Sequence, residues 1–219
     1  MSTRCEFAGV LMIAALFGAA PACALEIVGL VTDDTGAPVA DAVVVAVSDA
    51  PVKLPVPKPE SIVQEAKEFK PFVKAVLVGT PIAFPNQDDV LHHVYSFSPA
   101  RSFELKAYAG TPPVPIIFDK PGPVALGCNI HDWMLAYVYV SESPYFALTG
   151  ADGKVHLSNL APGKYAVRVW HPRLAVAEEA TVQRVVLAGG DTSEVTWRLK
   201  LKRDPRIRRA PTRSGGGYR

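Results

Sequence analysis

The stretch Leu126–Met134, LGCNIHDWM, sets a cysteine, a histidine and a methionine three residues apart: Cys128, His131 and Met134. The runs PVALG before it and LAYVYVS after it are short, apolar and rich in β-formers, so the three side chains share one connection between two strands. Thiolate, imidazole and thioether are soft donors. With a second imidazole they form the set that selects copper, two histidines and a cysteine in a plane with a long axial methionine. The missing donor must come from elsewhere, and FPNQDDVLHHVYSFS offers His92 and His93. On a strand these neighbours point to opposite faces, so only one of them can face the loop.

The rest of the chain says why a lone thiol needs such a purpose. Arg4 precedes the apolar run FAGVLMIAALFGAA, which ends at Ala22-Cys23-Ala24. This reads as a secretory leader over residues 1–24, too short and wrongly flanked for a membrane span. The alternative, lipidation at Cys23, lacks the large aliphatic residue expected in the preceding PAC. The leader takes Cys5 and Cys23 with it. Cys128 then stands alone in an oxidising compartment, the periplasm, where thiols ordinarily pair. The bland reading is a buried, inert core thiol.

About 195 residues remain after the leader, rich in Val, Thr, Tyr and Phe with frequent Gly and Pro, an all-β composition. Residues 25–197 carry 13 Lys/Arg against 19 Asp/Glu, whereas residues 198–219 carry nine basic residues and one acid. The basic end, 202–219, reads as a solvated tail. Its alternative is a docking element for an acidic partner or an anionic membrane surface. No transmembrane segment and no nucleic-acid motif is expected.

Residues 26–48, with turn residues DDTGAPVAD at their centre, read as a hairpin, and 51–61 as a proline-rich linker. ESIVQEAKEF reads as a helical turn or short helix. From Lys70, seven short runs follow at regular spacing: FVKAVL, TPIAF, HHVYSFS, SFELKAY, VPIIFD, PVALG and LAYVYVS. They predict a β-sandwich or Greek-key barrel over 62–145. GADGK and LAPGK mark tight turns beyond it, and a second hairpin is expected around Gly189-Gly190.

Two resemblances attach to these motifs. GLVTDDTGAPVADAVVVAV and TGADGKVHLSNLAPGKYAVRV resemble the opening and the continuation of a carboxypeptidase-regulatory-like or transthyretin-like sandwich, here about 95 residues apart. That distance exceeds what a loop holds. The expected architecture is therefore a sandwich over 62–145 inserted into, or packed with, a second made of 25–50 and 146–201. Residues 62–145 resemble the cupredoxins, small blue copper proteins whose first ligand often follows N-x5-H-N-V. Asn86 to His92 and Val94 fit that pattern, with His93 in place of the second asparagine. The spacing C-x2-H-x2-M is similar to that of amicyanin and pseudoazurin. The longer string from FPN to GCNIHDWM resembles periplasmic plastocyanin-like proteins labelled methylamine-utilisation proteins, a label that names a genetic neighbourhood and no substrate.

The resemblance implies one type 1 copper ion held by His92, Cys128, His131 and Met134, with His93 outside the site. It also implies transfer of single electrons to and from a cytochrome or dehydrogenase type of protein, docking beside His131 over Ile130 and Trp133. Ile130 and Asp132 flank His131, where amicyanin-like loops usually carry proline, so this loop tunes its metal differently. Zinc takes the same nitrogen and sulfur donors. Met134 has a core reading as well. Asp88 and Asp89 read as solvated turn residues, His156 and His171 as ordinary strand residues, and Trp170 and Trp197 as core. No catalytic triad, phosphate-cradling loop or second metal motif is present, so an enzyme is not expected. The rival functions are a copper-delivery module and an envelope interaction protein with a structural copper.

Overall fold

The computed structural model describes residues 25–112, 114–190 and 192–204. The leader over 1–24, with Cys5 and Cys23, and the tail from residue 205 lie outside the described residues. The strands are β1 (Leu25–Asp33), β2 (Val43–Ser48), β3 (Glu60–Ser61), β4 (Val63–Glu65), β5 (Glu68–Lys70), β6 (Val73–Leu77), β7 (Thr80–Ala83), β8 (His92–Ser98) and β9 (Arg101–Tyr108). They continue as β10 (Ile116–Phe118), β11 (Gly122–Gly127), β12 (Leu135–Ser141), β13 (Tyr145–Leu148), β14 (Lys154–Leu160), β15 (Gly163–Trp170), β16 (Gln183–Leu187) and β17 (Thr192–Leu199). A single 3-10 turn, Glu178–Thr181, interrupts this all-β order among the described residues.

The seven runs expected after Lys70 form β6 to β12. Five strands in the order β6-β12-β11-β8-β9 face three in the order β10-β7-β3. Period-2 alternation turns one side of each strand inward. Val124 and Leu126 of β11, Ala136 and Val138 of β12, Val94 of β8 and Phe118 of β10 meet in one buried cluster. A second sandwich sets β14-β1-β17 against β13-β2-β15-β16. Strands from both ends of the chain build it, and β1 pairs in parallel with β17 from Glu26↔Thr192 to Asp33↔Leu199.

The two sandwiches stack. Val43 and Val45 of β2 and Trp170 of β15 pack with Val73 of β6 and Tyr139 of β12 in a third buried cluster. Beside it Arg168 donates to both Glu142 and Glu178, and the Tyr139 hydroxyl donates to Glu178. Burial together with the Glu178 carboxylate holds the Tyr139 hydroxyl well above the ordinary phenol range.

Three local expectations are corrected. Residues 26–48 are not a hairpin, because β1 and β2 belong to opposite sheets. The chain reverses at Asp33–Ala37, where the Asp33 carboxylate accepts from the Thr35 and Ala37 amides, and forms a bridge from Thr32 to Pro38. It then crosses to the other sheet. The reason lies in VVVAV: Val43 and Val45 face the third cluster while Val44 and Ala46 face the second sandwich's core. A strand covered on both faces belongs inside a sheet, and β2 sits between β13 and β15. The chain around Gly189-Gly190 likewise crosses between sheets, since β16 pairs with β15 and β17 with β1. ESIVQEAKEF forms β3, β4 and β5 in place of a helix. Ile62, Gln64 and Phe69 are buried there, so the burial alternates with a period of two. The turn between β4 and β5 is Ala66-Lys67, both left-handed at φ 56° and 57°.

Candidate metal centre

The loop from Cys128 to Met134 is closed at its base by the pair Gly127↔Leu135, the last rung of the antiparallel β11–β12 ladder. Alternation decides what the loop's ends do. Leu126 and Ala136 point into the core, so Cys128 and Met134, each two residues further along, point the same way. Both are buried, at 3% and 2% exposure, in the cluster that holds Leu126 and Ala136. The Met134 amide donates to the His131 carbonyl at 3.0 Å, a tight return that leaves His131 half-buried at the rim.

His92 begins β8 on the inward face and is fully buried. His93 lies on the opposite face of the sheet, also buried, where its Nε2 lies 2.9 Å from the Glu104 carboxylate. Between Val94↔Leu105 and His92↔Tyr108 the ladder shifts register, so β9 carries one extra residue. This bulge turns Tyr108 inward. Its hydroxyl donates to the Phe84 carbonyl and accepts from Gln64, whose amide also donates to Phe84. Burial, with the Cys128 sulfur adding to it against the Gln64 hydrogen bond, pushes the Tyr108 hydroxyl up to about 12.

His92 Nδ1 stands 3.2 Å from His131 Nδ1, and Cys128 Sγ stands 3.9 Å from the same atom. One donor atom each from His92, Cys128 and His131 lies within 4.8 Å of the other two. Nitrogen and sulfur donors bonded at about 2.0–2.3 Å to one ion, at trigonal or tetrahedral angles, stand roughly 3.3–3.8 Å apart. The residues therefore fit a shared metal ion. Met134 is buried beside them, and among the described residues this is the one such His/Cys group.

No protein-family profile matches the chain, and no curated protein does. Among solved structures it is similar to a purple cupredoxin from Nitrosopumilus maritimus, at 21% identity over 37% of this chain and 99% of that one, TM-score 0.33. It is similar to a reduced Cu(I) form of an amicyanin variant, at 16% identity over 45% of this chain and 98% of that one, TM-score 0.34. It is also similar to a copper-containing nitrite reductase from Thermus scotoductus, at 23% identity over 53% of this chain and 28% of that one, TM-score 0.37.

Asp88 is corrected from solvated turn residue to part of the site's frame. Its carboxylate is mostly buried and accepts from the Ala66 amide at 2.7 Å and the Lys67 amide at 2.9 Å. Its Oδ2 also lies 2.7 Å from His92 Nε2. Burial opposes its charge, but these hydrogen bonds and the His92 ring win and hold it below the usual carboxylate range. Asn86 positions it, with the Asn86 amide group donating to the Val90 and Tyr108 carbonyls and its oxygen accepting from the Asp88 amide. Asp89 remains exposed. Trp133, half-buried, donates from Nε1 to the Lys67 carbonyl at 3.1 Å and packs on the His131 ring at 5.2 Å between centroids. His131 itself is held below the ordinary imidazole range, by burial first and then by His92 and Lys67.

The remaining candidates lie away from the donors. His156 pairs with Glu26 on the surface at 2.8 Å, and His171 is buried, its Nδ1 accepting from the Arg173 amide. Trp170 and Trp197 are buried. Among the described residues no helix is long and apolar enough to cross a membrane.

Proposed function

We propose that the chain is an exported copper protein that carries single electrons between redox partners. The observation that carries this reading is the meeting of His92, Cys128 and His131 donor atoms within 4.8 Å, beside a buried Met134. The donor chemistry favours copper over zinc, because a thioether beside a thiolate and two imidazoles suits a soft ion. Bound there, copper supplies a one-electron Cu(II)/Cu(I) couple. Cys128 would provide the thiolate, His92 and His131 the two imidazoles, and the buried Met134 a thioether. The β11–β12 ladder and the Asp88 contacts hold these donors in one arrangement, which keeps reorganisation on electron gain and loss small. Four protein donors leave no position for a substrate, so the function is carriage and not catalysis.

His131 is the half-exposed member of the set, and its neighbour Ile130 is 50% exposed, as is Leu91 beside His92 at 51%. A cytochrome or dehydrogenase type of partner docks transiently on this apolar rim and exchanges the electron there. The periplasm is the place of action, on the strength of the leader in residues 1–24.

The test is the spectrum of the copper-loaded mature protein. An intense thiolate-to-copper absorption band, a matching electron paramagnetic resonance signal and a reversible one-electron titration are expected. Cys128→Ala removes the band. Retention of the colour and of full copper affinity in that variant would refute the proposal, and ready loss of copper to an acceptor chelator would favour delivery.

A further inference from the structure

The carboxylate of Asp88 touches three groups, two of them amides more than twenty residues upstream and the third a ring four residues on whose other nitrogen faces the donor cluster. A carboxylate is an acceptor only, so the proton between Asp88 Oδ2 and His92 resides on His92 Nε2. In the neutral ring His92 Nδ1 is then a bare lone pair, on the side of the ring where His131 Nδ1 stands 3.2 Å away. The carboxylate is itself fixed, because Oδ1 and Oδ2 each accept from the amides of the left-handed turn Ala66-Lys67. The Lys67 carbonyl of that same turn takes the Trp133 indole N–H, and the Trp133 ring packs on His131. Both imidazoles are thus referred to a single two-residue turn, one through Asp88 and the other through Trp133.

We propose that Asp88 is a positioning residue of the metal centre: it fixes His92 as the Nε2–H tautomer with Nδ1 free for the ion, and its negative charge favours the divalent over the monovalent state of a bound copper. This rests on the copper reading above. Outer carboxylates on metal-binding histidines orient the ring and raise its basicity, and their loss typically costs 10–100-fold in metal affinity. A fixed negative charge near the ion lowers the reduction potential, since Cu(II) gains more from it than Cu(I).

Two variants separate orientation from charge. Asp88→Asn retains an oxygen that can accept from His92 but carries no charge; Asp88→Ala removes both. In the metal-free full chain, nitrogen-15 NMR is expected to report His92 as the Nε2–H tautomer, kept in Asp88→Asn and lost in Asp88→Ala. In the copper-loaded protein, Asp88→Asn raises the Cu(II)/Cu(I) potential while keeping the thiolate band, and Asp88→Ala weakens copper binding about 10–100-fold. An Nδ1–H tautomer in the unaltered protein, or an unchanged potential in Asp88→Asn, overturns the proposal, and the latter decides even if Asp88→Ala does not fold. If the unaltered protein shows no thiolate-to-copper band, the copper reading fails separately. The tautomer, together with Co(II) affinity across the two variants, still decides the role of Asp88.

Discussion

At β8 two successive imidazoles take opposite sides of a sheet, and each carries its own carboxylate. His92 meets Asp88 on the inner face, and His93 meets the exposed Glu104 on the other. Replacing them one at a time reads out the difference. His93→Ala is expected to keep metal binding and the visible band, whereas His92→Ala loses both; copper titration followed by absorption checks it. The pH response belongs to this scale as well. Because folding depresses the His131 pKa, the neutral ring stabilises the fold fully above its unfolded value of about 6.5. That contribution is lost as the pH falls below this value toward the folded one. Asp88 has the same sign lower down, contributing fully above about 3.9 and losing it as its carboxylate protonates. The metal-free protein should therefore lose stability in two steps on acidification, seen as a falling denaturation midpoint. The spacing of Cys128, His131 and Met134 and the inward turn of one histidine were legible in sequence, because strand alternation is a local rule. Asp88 was not. A carboxylate in PNQDD looks solvated until the Ala66 and Lys67 amides, 22 and 21 residues upstream, are folded against it.

The element that most escaped the sequence is the β4–β5 hairpin. Its polar, helix-tolerant letters, QEAKE, hide an alternation carried by three buried residues, Ile62, Gln64 and Phe69. The turn itself has the wrong letters for its shape. Two consecutive left-handed residues call for Asn-Gly, and Ala and Lys each incur a steric cost there. Ala66→Asn combined with Lys67→Gly is expected to raise stability by about 1 kcal/mol, measured by urea denaturation, since every backbone hydrogen bond of the turn survives. The hairpins expected at both ends of the chain failed for a related reason. Turn residues announce that the chain reverses, but they do not say whether it returns to the same sheet. What decided it was β2, apolar on both faces and hence committed to an interior position.

For the molecule as a whole, the junction between the sandwiches holds its charged groups in one network. Arg168 sits between Glu142 and Glu178, with side chains 19%, 35% and 16% exposed. Arg168→Ala leaves Glu178 and Tyr139 facing each other with no cation. A fully buried pair broken this way costs about 3–5 kcal/mol, and partial exposure reduces that to roughly 2 kcal/mol here. Thermal unfolding should show the loss without any change in the metal spectrum, because the network and the donors occupy opposite ends of β12. The parallel pairing of β1 with β17 has a mechanical meaning. The first residue of β1 and the last of β17 emerge at opposite ends of the pair, so tension applied between the chain's two ends loads their hydrogen bonds in shear, all together and not one after another. The strands between them, including every metal donor, lie outside that line of force. A chain tethered at one end and pulled at the other would keep its cluster of His92, Cys128 and His131 slack until the outer clasp gave way.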